Sequence, residues 1–349
     1  MRAATRSLAL LLLLGGCVGF GQQRIGIDRS DYANRLRETG KEQLLLNIVS
    51  MRYGDAPLFL DVTSVISQYT REGSVRADAG LDAASQNAGA GVGGQYLMRE
   101  TPTITYAPIS GDRFARSMLA PIPPASILAM IEAGWSAGEL FNLIVRSING
   151  VSNTALSPMF AHHSDPEFGD LVATIDRLQQ TGGLTVHVSR GENGRYTAAA
   201  RVSRTLSPAD RADLNRIVTM LHLPGDSREL PIVFGADQNA PNQLAIGSRS
   251  MFEILSEMAQ GVEVPPEDRG GRAIQRPEGT HRDQPLVRVH SGTSRPADAH
   301  VAVRYRDHWF WIDGADTMSK RMFLITQILL SLNDTSSSTT APLVTIPTG

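Results

Sequence analysis

DVTSVISQYTREGSVRADAGLDAASQNAGAGVGGQYLMRETPTITYAP, residues 61–108, is the stretch on which the reading of this chain turns. From Gly73 to Leu81 the odd positions are Gly73, Val75, Ala77, Ala79 and Leu81, and the even positions between them are Ser74, Arg76, Asp78 and Gly80. After a polar tip at 85–87 the alternation returns. Ala88, Ala90, Val92, Gly94, Tyr96 and Met98 fall on one side, Gly89, Gly91, Gly93 and Gln95 on the other. Period two over this length predicts a long β-hairpin at about 57–107. Its root, with Leu58, Leu60, Val62 and Ile66 and then Ile104 and Tyr106, has an ordinary core face. The distal half does not: Ala, Gly and Val offer little area to a protein core. Transmembrane β-strands show the same alternation, cross in roughly 9 to 11 residues and carry aromatic residues at the interface, where Tyr69 and Tyr96 stand. Two expectations follow. Either Gly73, Val75, Ala77, Ala79, Leu81, Ala88, Ala90, Val92 and Tyr96 form a surface that enters a membrane or joins a ring, or the stretch is a Gly/Ala-rich surface loop.

Outward from the hairpin, the start of the chain carries Arg2 and Arg6, an apolar run Leu8 to Leu14, and Leu14-Gly15-Gly16-Cys17. That order is a secretory leader with a small-residue cleavage site, too short to span a bilayer. Leu-Gly-Gly-Cys resembles the lipobox of bacterial lipoproteins, and the resemblance implies a lipid on Cys17 with 1–16 removed. Val18, where an Asp would favour inner-membrane retention in that resemblance, implies sorting to the outer membrane. Cys17 is the only cysteine, so the body is stabilised without disulfides. Without Arg2 and Arg6 there are 31 basic against 35 acidic side chains, a balance that argues against a nucleic-acid partner.

Residues 17–40 are polar and poorly periodic and predict a tether. Leu45, Ile48 and Val49 begin a helical pattern at Lys41 that ends at Tyr53, before Gly54. Helices are expected over Ala125–Ala133 and Ala137–Ile148, with the hairpin making 41–160 one division of the chain. The second division, 161–332, reads helix, strand, strand, helix, strand: Leu171 to Leu178, Leu184–Ser189, Tyr196–Val202, a helix from Ser207-Pro208 through Leu221, and Leu230–Phe234. Leu244–Gly247 and the helix Ser250–Met258 follow, then a charged loop, Gly261–Pro285, expected to be solvated. Strands Leu286–His290, Ala299–Tyr305 and Trp309–Asp313 precede the helix Ser319–Leu332. Trp309 and Trp311 alternate with Phe310 and Ile312, which predicts a strand covered on both faces. Residues 333–349 read as a Ser/Thr linker and an extended peptide, Ala341–Pro347, suited to adding onto a sheet edge. The class expected is α+β: mixed sheets, packed helices and a long amphipathic hairpin with small-residue faces.

NIVSMRYGDAPLFLDVTSVISQY, TPTITYAPISGDRFARSMLAPIPP and RYRDHWFWIDGADTMSKRMFLITQILLSL resemble segments of an uncharacterised family of bacterial lipoproteins. The resemblance implies lipid anchoring and carries over no catalytic residue. The combination of anchor, α+β body and hairpin is similar in architecture to curli-export lipoproteins, whose protomers each give strands to a shared outer-membrane barrel.

No nucleophile elbow, His-Glu-x-x-His or phosphate loop occurs. His162, His163, Asp165 and Glu167 lack the spacing that gives metal ligands a common direction. Arg269, Arg272, Arg276 and Arg282 make a basic loop without a glycine-rich turn into a helix. Asp313 and Asp316 are either paired carboxylates or, more simply, a turn and a helix cap. No enzyme, cofactor or metal is therefore expected. The function expected is that of an outer-membrane lipoprotein held by Cys17, a structural or assembly subunit that self-associates or binds other envelope proteins. The alternatives are a monomeric scaffold facing the periplasm and a hydrolase whose triad comes from distant positions.

Overall fold

The computed structural model describes residues 20–81, 88–153, 165–190, 196–225, 228–235, 242–275 and 285–333. Cys17, His162, His163, Arg276, Arg282 and the peptide Ala341–Pro347 lie outside them. The described chain forms two compact units. One joins the residues up to Pro57 with Met118–Asn333; the other is Leu58–Ser117. The class is α+β, as the alternating patterns predict.

In the larger unit, α1 (Phe20–Arg52) is a single helix of 33 residues, about 50 Å long at 1.5 Å per residue. The tether expected over 17–40 is thus helical from Phe20. No proline interrupts 20–40, and its pattern has no apolar face. From Ala33 to Gln43 no side chain is buried; Leu44 is, and Leu45, Ile48 and Val49 are fully enclosed. The helix stops at a glycine-dependent cap. Gly54 has φ +81°, its N–H donates to Met51 O, and the Asp55 N–H reaches Ser50 O.

α2 (Pro124–Glu132) and α3 (Ala137–Ile144) follow. The helix expected to run to Ile148 ends four residues early, because Val145–Ile148 is β3. Asn149 and Gly150, both at positive φ (46° and 87°), turn it back into β4 (Val151–Ser152), with Ile148 opposite Val151. This is the Asn-Gly turn of a two-residue hairpin. β3 and β4 join β5 (Leu184–Arg190), β6 (Tyr196–Val202), β7 (Glu229–Phe234) and β8 (Leu244–Ser248) in one sheet of order β4-β3-β8-β7-β6-β5. Since β3 pairs with β8, the division expected near residue 160 does not exist: both sides of it share one sheet. Only β7 and β8 run parallel. α4 (Glu167–Thr181) and α5 (Pro208–Met220) accompany this sheet, and α5 starts at a capping box between Ser207 and Asp210. Between sheet and helices lies an apolar cavity of about 60 Å³, with Leu128, Phe141, Ile175 and Ile217 on the helical side and Val186 and Ile232 on the sheet side.

α6 (Met251–Ala259) is buried at every residue except Phe252. Beyond it the loop from Gly261 is not simply solvated, since Val262, Val264, Asp268 and Ala273 are buried. Val262 bridges to Val289 in parallel, and a Cβ at Gly261 would strike the Val287 carbonyl, so this crossing requires glycine. The bridge also displaces the strand expected at Leu286–His290; the observed β9 is His290–Gly292. β9 pairs with β11 (His308–Asp313), which pairs with β10 (Ala299–Tyr305), in the order β10-β11-β9. Phe310 and Ile312 are fully buried, whereas Trp309 and Trp311 are half-exposed, so one face of β11 packs in the core and the other is only partly covered. α7 (Thr317–Asn333) closes the unit with Met322, Phe323, Ile325 and Leu329 buried. Among the described residues no helix is long and apolar enough to cross a membrane.

The smaller unit is the hairpin, β1 (Leu60–Leu81) and β2 (Ala88–Pro108), strands of 22 and 21 residues paired antiparallel. One irregularity occurs near the root, between Val62 and Ser64.

Candidate functional site

Above the root irregularity the register runs without interruption, Ser64 opposite Thr105 through to Leu81 opposite Ala88. Residues directly opposite in an antiparallel pair lie on the same face. Gly73 faces Tyr96, Val75 faces Gly94, Ala77 faces Val92, Ala79 faces Ala90 and Leu81 faces Ala88, so the two small-residue stripes legible in the sequence combine into one surface. The opposite face carries Glu72, Ser74, Arg76, Asp78 and Gly80 against Leu97, Gln95, Gly93, Gly91 and Gly89. A register one residue out would have set the Gly73–Leu81 stripe against Gly89, Gly91, Gly93 and Gln95; the observed one sets it against Ala88, Ala90, Val92, Gly94 and Tyr96. The ribbon has two strands only, and among the described residues no third strand pairs with either edge. At the root, Arg113 Nη2 and Asp61 Oδ2 meet at 2.7 Å.

Two side-chain clusters of the larger unit were not anticipated. The first lies where the chain leaves that unit, three residues before Leu58. The Tyr53 hydroxyl donates to buried Asp268 at 3.0 Å, and Arg272 completes the carboxylate at 3.1 Å. Tyr305 donates to Asp55, the Arg306 guanidinium sits 4.6 Å over the Tyr53 ring, and it also pairs with Asp55 at 3.6 Å. His308 meets Glu267 at 2.6 Å. Burial, and then the bond to Asp268, pushes the Tyr53 hydroxyl well above the ordinary tyrosine range; Tyr305 is raised by burial and then by Asp55. Arg306 reaches this position from a two-residue turn at φ +51°, one residue tighter than the three-residue turn expected. The only signal in the sequence was the pair Arg52-Tyr53-Gly54-Asp55 and Arg304-Tyr305-Arg306-Asp307-His308. Each combines aromatic, cation and carboxylate at the end of an element.

The second cluster is buried. Arg249 has no exposed surface and its Nη1 donates to the Asn142 and Leu143 carbonyls, both at 3.1 Å, satisfying the C-terminal end of α3 with a positive charge. Glu253 and Glu257, also buried, supply the opposing field, while burial itself lowers the Arg249 pKa. Glu253 serves twice: it closes the capping box with Ser250 and binds Arg146 at 2.7 Å.

The remaining candidates serve the fold. Asp316 Oδ1 accepts from the Ser319 N–H and Oδ2 from the Ser319 hydroxyl, capping the start of α7, while Asp313 accepts from Ala315 N–H and closes the turn before it. Asp165 accepts from Ser152 N–H, and Glu167 lies in the first turn of α4. Arg269 is bonded to the Val264 carbonyl and Arg272 to Asp268. Among the described residues no group of three or more His, Cys, Asp or Glu could hold a metal ion. Comparison with protein-family models, curated proteins and solved structures returns no match to this chain.

Proposed function

We propose that the chain is a non-enzymatic, lipid-anchored outer-membrane protein that acts as an assembly subunit, giving its hairpin to an oligomeric β-structure that encloses a pore. The observation that carries the reading is a hairpin whose edges pair with no third strand among the described residues and whose register sets Gly73, Val75, Ala77, Ala79 and Leu81 on one face with Ala88, Ala90, Val92, Gly94 and Tyr96, all charged residues of 72–78 lying on the other. An isolated two-stranded ribbon is marginal in water, and unpaired edges of this length are templates for further strands. A second copy offers such strands, and closure into a barrel removes the edges altogether.

The dimensions agree. The distal strands, Arg71–Leu81 and Ala88–Met98, have eleven residues each. At about 3.3 Å per residue and a tilt of about 40°, eleven residues span about 28 Å, close to the apolar band of outer-membrane barrels. The face with Val75, Ala77, Ala79, Leu81, Ala88, Ala90, Val92 and Tyr96 then meets lipid, and Glu72, Ser74, Arg76 and Asp78, with the glycines opposite them, face the lumen. The anchor proposed is the lipid on Cys17. The test is gentle detergent extraction of the lipidated protein followed by native mass determination. A discrete high-order ring is expected; a monomer would replace this reading with that of a scaffold.

A further inference from the structure

β10 is an outer strand of its sheet, and its second edge pairs with no strand among the described residues. A cavity of about 320 Å³ touches Ala302, Val303 and Arg304 in succession. Consecutive strand residues point to opposite faces, so a cavity that meets three in a row runs along the edge of the strand. Its far wall is α1, through Glu42 and Leu46, one helical turn apart. Leu46 is 39 % exposed while Leu45 and Ile48 beside it are fully buried, which leaves one aliphatic side chain out of the core and in the groove. On the strand side, Trp309 stands opposite Arg304 in register, and Arg295 lies 5.4 Å over the Trp309 ring. Neither Arg295 nor Arg304 has an ion-pair partner among the described residues, although acidic partners hold Arg146, Arg177, Arg201 and Arg321.

We propose that this groove binds an extended, acidic segment of another protein, which adds to β10 as a strand. The open backbone of β10 supplies the hydrogen bonds, as in other cases of strand addition. A carboxylate on the outer side meets the two guanidiniums, and an aliphatic residue on the helix side packs on Leu46. Glu42 on that wall disfavours an acid there. Because residues on opposite sides of a strand are adjacent in sequence, the segment recognised alternates acid and aliphatic. The groove belongs wholly to the larger unit and does not depend on the hairpin.

The probes are two labelled synthetic peptides, acetyl-Thr-Glu-Val-Glu-Val-Thr-amide and its counterpart with lysine in place of glutamate, titrated into the full chain and followed by fluorescence anisotropy. The acidic peptide should bind and the lysine peptide bind at least tenfold more weakly. Arg304→Glu, on an exposed side chain, should weaken the acidic peptide at least tenfold and strengthen the lysine peptide. Leu46→Asp should weaken the acidic peptide at least fivefold without lowering the melting temperature. Absence of binding by the acidic peptide, equal binding of the two peptides, or an Arg304→Glu variant that keeps the wild-type preference would overturn the proposal.

Discussion

A single charge placed at Ala77 discriminates between a hairpin in lipid and a hairpin in water. Ala77 is the seventh residue of the eleven from Arg71 to Leu81, and its partner Val92 is likewise the seventh from Met98. Six residues at about 3.3 Å and a tilt of about 40° place it about 15 Å into a band about 28 Å deep, near the midplane. An arginine there costs about 2 to 4 kcal/mol per protomer, repeated at every subunit. Ser74→Arg is the control, since Ser74 stands on the opposite face, where its register partner is Gln95. Ala77→Arg should abolish the high-order species in native mass measurements and the conductance of reconstituted protein. Ser74→Arg should keep both and shift only ion selectivity. Outside lipid, each substitution would stay within about 0.5 kcal/mol. Equal behaviour of the two variants would refute the assignment of faces and, with it, the proposed membrane insertion.

Cys17→Ser should leave the outer-membrane fraction for the soluble one, because the lipid on Cys17 is the proposed anchor; unchanged fractionation would exclude it. Arg249→Ala leaves Glu253 and Glu257 buried opposite a lost cation and should cost about 3 to 5 kcal/mol in denaturant unfolding. Arg249→Met, which fills the volume, should cost less than the alanine variant, and urea midpoints in the reverse order would contradict the electrostatic account. Tyr53 and Tyr305 have raised hydroxyl pKa values, so the folded protein holds those protons more tightly than the unfolded chain. Their contribution to stability should be whole below the ordinary tyrosine pKa, near pH 10, and fall as pH rises above it. Tyr53→Phe should flatten that fall, a change readable in melting temperatures measured from pH 8 to 11.

The hairpin is legible before any coordinates because period two needs nothing but neighbouring residues: the alternation from Gly73 to Leu81 and from Ala88 to Met98 already defines faces. The same locality explains why Ser207-Pro208 marks a helix start and why Asp316 is a cap. Asn149-Gly150 was equally local and carried its own turn signal, yet the apolar spacing of Leu140, Leu143, Ile144 and Ile148 favours a helix running right up to it. Val145 and Ile148 left the helix because β8 offered them a ladder, and β8 lies about a hundred residues away in the chain.

What the amino-acid order by itself determined is therefore local: strand and helix periods, caps, turns, and the sorting of residues onto the two sides of the ribbon. Tertiary structure decided whatever depends on a distant partner. Trp309 and Trp311 are only partly covered by the described residues, which alternation cannot report. The buried Arg249 and the meeting of Tyr53 with Asp268 and of Asp55 with Tyr305 join residues up to 250 positions apart. Charged side chains in a sequence carry no mark of whether the fold will solvate them or enclose them; only the packing of α6 and the crossing at Gly261 settles which carboxylate meets which cation, because burial makes an unpartnered charge costly.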